Sequence, residues 1–138
     1  MINNDNIIKI LILEDDLEAL SVLMKNLYIL EKSLIGIPFV VTVFSEYTKV
    51  DNYLNKLDSS DFDIILLDRD CKMGGSFHIL DFKKFDVNKI ISISSIPKWN
   101  DEAVKRGVKK VYWKDHNNIE DWGESVIQGI KKMVIKND

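Results

Sequence analysis

A chain of 138 residues with 46% hydrophobic and 30% charged residues is long enough, and apolar enough, for one globular domain. Its 22 acidic and 19 basic side chains leave a net charge of -3, which provides no general attraction to nucleic acid or to an anionic membrane. Cys71 is the only cysteine, so no internal disulfide can form and a cytoplasmic location is expected. No apolar run approaches the roughly 18 residues of a membrane span. We therefore expect residues 1–138 to form a single domain, with no effector domain in this chain.

The first strand is predicted at residues 7–13, an aliphatic run that ends in three acids, Glu14, Asp15 and Asp16. A helix should follow at once, with Asp15 or Asp16 as its cap. Its apolar face is predicted to consist of Leu17, Leu20, Met24 and Leu27. The β-branched and aromatic run at residues 39–44 predicts a second strand, which a further helix should follow.

The third predicted strand lies in residues 62–70, where four consecutive large aliphatic residues lead directly into Asp68. Such a run is typical of a strand that is buried on both faces of a parallel sheet. The next segment predicts a loop and then a short helix at residues 77–85.

The second half of the chain continues the same alternation of strands and helices. A fourth strand is predicted at residues 89–95, a helix from Pro97, and a fifth strand at residues 108–113 that ends at Lys114. Apolar residues at helical spacing between positions 119 and 133 predict the last helix. Strand and helix alternation over five units predicts an α/β protein, a flavodoxin-like (βα)5 sandwich with a parallel sheet of order 2-1-3-4-5.

Four of these strands end in a polar side chain, and parallel strands bring their carboxyl ends to one edge of the sheet. Glu14 and Asp15 should therefore meet Asp68, with Ser94 and Lys114 nearby. Carboxylates about 4 Å apart repel by roughly 4 kcal/mol at an effective dielectric constant of 20, so the group requires a cation or a bound proton. An oxygen-rich site of this kind suits Mg²⁺, and the added ammonium and hydroxyl form a socket for a phosphoryl group.

This order of motifs resembles the receiver domain of two-component response regulators. Residues 10–16 resemble its first strand and acidic pair, and residues 63–68 resemble its phosphoacceptor strand. Ser94 and Lys114 fall where that family has a hydroxyl residue and a lysine. No single motif is specific, but their order along the chain is.

The resemblance implies that Asp68 accepts a phosphoryl group from a histidine kinase, a phosphotransfer protein or a small phosphodonor, and that Ser94 and Lys114 bind the phosphoryl oxygens. It implies that Mg²⁺ is held by Glu14, Asp15, Asp68 and the backbone carbonyl of Asp70. It also implies signalling through a downstream protein partner, as a monomer or weak homodimer. The expected chemistry is limited to autophosphorylation and autodephosphorylation, so the chain is not expected to be an enzyme in its own right.

Several positions depart from the family pattern. Asp115 follows Lys114 where the family usually has proline, so we predict a trans peptide bond there. Val111 stands where the family has its switch aromatic. His78 and His116 have no partner at metal-ligand spacing, and both are expected on the surface or in loops.

Two alternative functions remain open at this stage. The departures also fit a pseudo-receiver, which would bind a partner without being phosphorylated. Asp68-Arg69-Asp70 after an aliphatic strand also resembles the first motif of haloacid-dehalogenase-type phosphatases. Those enzymes, however, place their nucleophile strand early and their metal-binding acids after the lysine, which is the reverse of the order here.

Overall fold

The computed structural model describes residues 6–57, 61–69 and 71–135. Five β-strands and four α-helices form the frame, with short 3-10 turns between them, in the order β1 (Ile8–Leu13), α1 (Leu17–Ser33), β2 (Phe39–Phe44), α2 (Thr48–Asn52), β3 (Ile64–Leu67), β4 (Ile90–Ser92), α3 (Pro97–Lys105), β5 (Lys110–Val111) and α4 (Ile119–Ile135). All strand pairs are parallel and the sheet order is β2-β1-β3-β4-β5, so the predicted flavodoxin-like strand order is confirmed.

Two apolar cores cover the two faces of the sheet. Helices α1 and α4 pack on one face, over inward-pointing residues such as Ile10 and Leu66. Helices α2 and α3 lie on the other face, over residues such as Leu11 and Leu67. The alternation of side chains along each strand sends neighbouring residues into different cores, which explains why β1 and β3 are apolar at nearly every position.

The apolar face of α1 differs from the predicted one. Leu17 is 73% exposed and Met24 is 42% exposed, whereas the side chains on the buried face are Ala19, Val22, Leu23, Leu27 and Leu30. Of the predicted face, Leu27 is buried and Leu20 is half-buried against the core, as expected. The docking of α1 against the sheet and α4 selects which of the two overlapping stripes is buried.

The predicted helix at residues 77–85 is absent and only a 3-10 turn, Phe77–Ile79, forms there. Asp81 redirects the backbone: its amide N–H donates to the Asn55 side chain at 2.8 Å, and its carbonyl accepts from Phe85 at 3.0 Å. The crossover from β3 to β4 therefore consists of loops and short turns, while its apolar side chains still reach the core. The (βα)5 expectation thus holds for the strands but not for the third helix among the described residues.

The last two strands are shorter than predicted, yet their backbone hydrogen bonds continue beyond the regular ladder. The Ile93 amide donates to the Leu67 carbonyl, and the Lys114 amide donates to the Ser94 carbonyl, both at 3.0 Å. These single bonds carry the chain to the same edge of the sheet as the ends of β1 and β3. Within the described residues, no helix is long and apolar enough to span a membrane.

Candidate functional site

The ends of β1 and β3 place the first two acids side by side. Leu13 pairs with Leu67 in the ladder, and the Asp68 amide then donates to the Leu13 carbonyl at 3.0 Å. The residue after each strand is an acid, so Glu14 and Asp68 leave the sheet together. This adjacency is a direct consequence of the strand order.

Glu14 is fully buried, and each of its carboxylate oxygens has a defined neighbour. Its Oε2 atom accepts hydrogen bonds from the amides of Asp15 and Asp16, at 3.0 and 3.2 Å. Its Oε1 atom forms an ion pair with the Lys114 ammonium. A buried carboxylate with these partners has little freedom to move, so the position of its oxygens in the site is fixed.

Asp15 reaches the site because it does not cap α1. The cap is Asp16, whose Oδ1 atom accepts from the Glu18 amide at 3.2 Å. Asp15 instead accepts from the backbone amide of Lys72 through its Oδ2 atom, at 2.5 Å. This contact joins the loop after β1 to the loop after β3.

One carboxylate oxygen from each of Glu14, Asp15 and Asp68 lies within 4.8 Å of the other two. Hard oxygen donors at this spacing suit a small divalent cation such as Mg²⁺, which usually keeps several waters and uses one or two protein carboxylates. The donor set therefore fits a metal ion. The backbone carbonyl of Asp70, the fourth predicted ligand, lies outside the described residues.

Lys114 supplies the positive charge of the site. Its side chain is only 3% exposed, and its Nζ atom lies 3.5 Å from Oδ1 of Asp68. Burial pulls the pKa of Lys114 down, but the charges of Glu14 and Asp68 outweigh that effect and raise it above its ordinary value. The lysine therefore remains an ammonium throughout the physiological range.

The pKa of Asp68 is raised to about 8, chiefly by burial and then by the negative charge of Glu14. The Lys114 ammonium opposes this rise without cancelling it. Near neutral pH, the single Lys114 ammonium is thus not enough to keep both buried carboxylates ionised. Asp68 retains a proton unless more positive charge enters the site. This is the electrostatic condition that a divalent cation would relieve.

Ser94 is buried at the same edge of the sheet, between the ends of β3 and β5. Its hydroxyl accepts from the Ile96 amide at 3.3 Å. Asn100 holds its backbone from both sides, since Oδ1 accepts from the Ser94 amide at 3.2 Å and Nδ2 donates to the Ser94 carbonyl at 3.3 Å. Asn100 also accepts from the Ser92 hydroxyl at 2.6 Å.

Asn100 is the supporting residue that the sequence analysis missed. It lies in the first turn of α3, three positions after Pro97, and is 6% exposed. No local pattern distinguished it, because most residues of α3 are polar and the partners of Asn100 are six and eight residues away.

The segment around Lys114 has its own geometry. No peptide bond of the described residues is cis, so the predicted trans bond before Asp115 is confirmed. Asp115 caps a 3-10 turn by accepting from the Asn117 amide at 3.0 Å. The Trp113 indole donates to the Ser95 carbonyl at 2.8 Å, and Val111 is 37% exposed.

The two histidines differ from each other. His116 is exposed, as expected, whereas His78 lies in a short turn of the loop crossover with its side chain buried, only 4% exposed. Burial, together with the nearby charge of Arg69, lowers the pKa of His78 to about 4, so its ring is neutral. Neither residue lies in the acidic cluster.

Comparison with known proteins places this geometry in a known fold. No family model matches the chain, and no curated protein matches it. Among solved structures, the chain is similar to the phosphorylated cyanobacterial phytochrome response regulator RcpA, with 17% identity, a TM-score of 0.70, and coverage of 94% of this chain and 95% of that one. It is also similar to a response regulator receiver domain from Rhodospirillum rubrum, with 15% identity, a TM-score of 0.67, and coverage of 90% and 94%.

A third similar structure is the Mn²⁺-bound form of response regulator Rcp1, with 15% identity, a TM-score of 0.67, and coverage of 90% of this chain and 91% of that chain. These likenesses define the class: the chain has the fold of response regulator receiver domains. At such low identities they establish the fold alone, and the chemistry of this chain must be argued from its own residues.

Proposed function

We propose that this chain is a phosphoacceptor receiver domain that is phosphorylated on Asp68 and signals by binding a protein partner. The observation that carries the proposal is the convergence of three carboxylates and one buried ammonium at a single edge of the sheet. Charge neutralisation and positioning are most of what phosphoryl transfer requires from a protein. The fold, shared with receiver domains over nearly the whole chain, is consistent with this assignment.

In the proposed reaction, a carboxylate oxygen of Asp68 attacks the phosphorus of the donor, and the bond from phosphorus to the donor's leaving group breaks. Asp68 must be ionised for this attack, although its pKa is raised to about 8 in the protein alone. Bound Mg²⁺, held by Glu14, Asp15 and Asp68, would supply the positive charge that favours the carboxylate and offsets the phosphoryl charge.

The remaining groups would act on the product. Phosphorylation adds about -1.5 to -2 charges, and the Lys114 ammonium, already 3.5 Å from Asp68, is placed to balance part of them. The Ser94 hydroxyl is the proposed hydrogen-bond donor to a phosphoryl oxygen, while Asn100 positions its backbone. We propose a histidine kinase or a phosphotransfer protein as the source in the cell, and a cytoplasmic location.

The decisive experiment is intact-mass measurement after incubation with Mg²⁺ and acetyl phosphate. We expect the wild type to gain one phosphoryl group and Asp68→Asn to gain none. Asp61→Asn is a matched control, since Asp61 is exposed and forms its ion pair with Lys9 away from the site. EDTA should abolish the gain.

The mass measurement tests the pseudo-receiver alternative, and a separate phosphate-release assay tests the phosphatase alternative. No gain in the wild type at any phosphodonor concentration would contradict the proposal and favour the pseudo-receiver. Continuous release of phosphate from a generic phosphoester, abolished by Asp70→Asn, would instead favour the phosphatase.

A further inference from the structure

A cleft of about 850 Å³ lies at the edge of the sheet opposite the acidic cluster. It is formed where strands β1, β3, β4 and β5 begin and where α4 ends. Its volume is within the roughly 300–1,000 Å³ of typical ligand sites. None of the proposed phosphoryl chemistry uses it, so its lining calls for a separate explanation.

The rim of this cleft, which we name the basic cleft, is strongly positive. Five lysines line it: Lys89, Lys109, Lys110, Lys131 and Lys132. Two aspartates, Asp63 and Asp86, also line it, so its formal charge is +3. Because the whole chain carries -3, the remainder of the molecule carries -6. The basic cleft is therefore a local exception on an acidic protein.

Internal interactions do not account for these lysines. Within the described ranges, the ion pairs of the protein involve other cations, and none of the five lysines forms one. The two aspartates are engaged by backbone amides, Asp63 by Lys9 at 2.8 Å and Asp86 by Asn88 at 2.9 Å. Lys132 lies in the last turn of α4 and complements its carboxyl end, but Lys89, Lys109 and Lys110 lie at the starts of strands.

The floor of the basic cleft is apolar. Ile8, Ile64 and Val134 close it from below and are nearly fully buried, whereas Met133 is half-buried and Ile135 is 42% exposed. A ligand that carries only negative charge would leave this surface in contact with water. The lining therefore favours a ligand with both an apolar group and anionic groups around it.

We propose that the basic cleft binds an acidic peptide segment of another protein, anchored by one large apolar side chain and flanked by carboxylates. Screening limits electrostatic attraction to about 8–10 Å at physiological salt, so a short peptide would sense the +3 charge of the cleft. An extended polyanion, such as a membrane surface or a nucleic-acid duplex, would also meet the -6 charge of the rest of the molecule. The concave shape of the cleft also favours a short peptide over a flat membrane surface or a rigid duplex.

The test is fluorescence anisotropy with the full-length protein and a panel of fluorescein-labelled peptides, each with a leucine, isoleucine, phenylalanine or tryptophan between runs of glutamate. The double variant Lys109→Gln/Lys132→Gln removes two exposed charges from different elements of the cleft, so it should fold normally. Lys56→Gln/Lys83→Gln is the matched control, with the same change in net charge at exposed positions outside the cleft. Urea denaturation of all three proteins verifies folding.

We expect at least one peptide to bind the wild type and the control equally, and the cleft variant about tenfold more weakly, as the loss of two charge contacts implies. Replacing the central apolar residue by serine, or the glutamates by glutamine, should abolish binding. No binding by any peptide, or equal binding by the cleft variant, would overturn the proposal. So would tighter binding to phosphatidylserine vesicles or to a DNA duplex, or peptide binding that appears only after deletion of residues 1–5, which would assign the cleft to the chain's own amino terminus.

Discussion

Replacing Asp68 by asparagine should make the protein more stable at alkaline pH when no divalent cation is present. The Asp68 carboxylate is buried within 4.8 Å of the Glu14 and Asp15 carboxylates, with one ammonium to balance them. Asparagine has nearly the same shape and no charge, so the substitution removes the repulsion and leaves the packing intact. Without a bound cation, the repulsion among these carboxylates is therefore expected to lower the free energy of unfolding of the wild type.

The magnitude follows from the pKa of Asp68, which burial and Glu14 raise from 3.8 to about 8. Between these pH values the folded protein holds a proton that the unfolded chain has released, so the free energy of unfolding falls as the pH rises. At 1.36 kcal/mol per pH unit, the full span corresponds to at most about 5–6 kcal/mol. At 4.8 Å, the upper limit of the separation between these carboxylate oxygens, the repulsion at an effective dielectric constant of 20 is about 3.5 kcal/mol. We therefore expect a gain of about 2–4 kcal/mol for Asp68→Asn above about pH 8.

The assay is urea denaturation of the wild type and Asp68→Asn in EDTA, followed by tryptophan fluorescence, at about pH 5 and about pH 9. The quantity to compare between the two pH values is the difference in free energy of unfolding between Asp68→Asn and the wild type. Burial lowers the pKa of His78 in the folded protein from 6.5 to about 4. As the pH falls below 6.5, the unfolded chain binds a proton that the folded protein does not, so both proteins lose stability alike. Adding Mg²⁺ should narrow the gap at about pH 9, because it binds the wild type preferentially. A difference that does not grow with pH, or a variant less stable than the wild type at about pH 9, would refute the electrostatic reasoning.

Three further substitutions test other parts of the structure, each by the shift of the urea midpoint. Lys114→Met should lower stability by about 3–5 kcal/mol at neutral pH, because it leaves the buried Glu14 carboxylate without its cation, and Mg²⁺ should restore part of the loss. Asn100→Ala should cost about 1–3 kcal/mol, because the Ser94 amide and carbonyl lose their buried partner; unchanged stability would contradict the role assigned to it. Gly123→Ala should cost about 1–3 kcal/mol despite the better helix propensity of alanine, because the new Cβ would clash with Cγ1 of Val22.

The parts of the fold that were predicted correctly are those set by local pattern. The aliphatic runs before Glu14 and Asp68 are buried strands, and their acids meet because parallel strands end at one edge. The trans bond before Asp115 likewise followed from the absence of proline. The roles of these residues in phosphoryl chemistry remain predictions.

The parts that were predicted wrongly depend on contacts between distant residues. The helix expected at residues 77–85 does not form. The Asp81 amide there donates a hydrogen bond to the side chain of Asn55, which is 26 positions away. His78 is buried by the same crossover, and nothing in its neighbouring sequence indicated that.

Sequence alone determined the strands, the alternation with helices and the set of acids at the strand ends, because hydrophobic period and local chemistry act over a few residues. Tertiary structure alone decided that Lys114 pairs with Glu14 as well as Asp68, that Asn100 supports Ser94, and that five lysines surround one cleft. The physical reason is that pairing, burial and the electrostatic fields between charges depend on distances in space, which the order of residues along a chain does not contain.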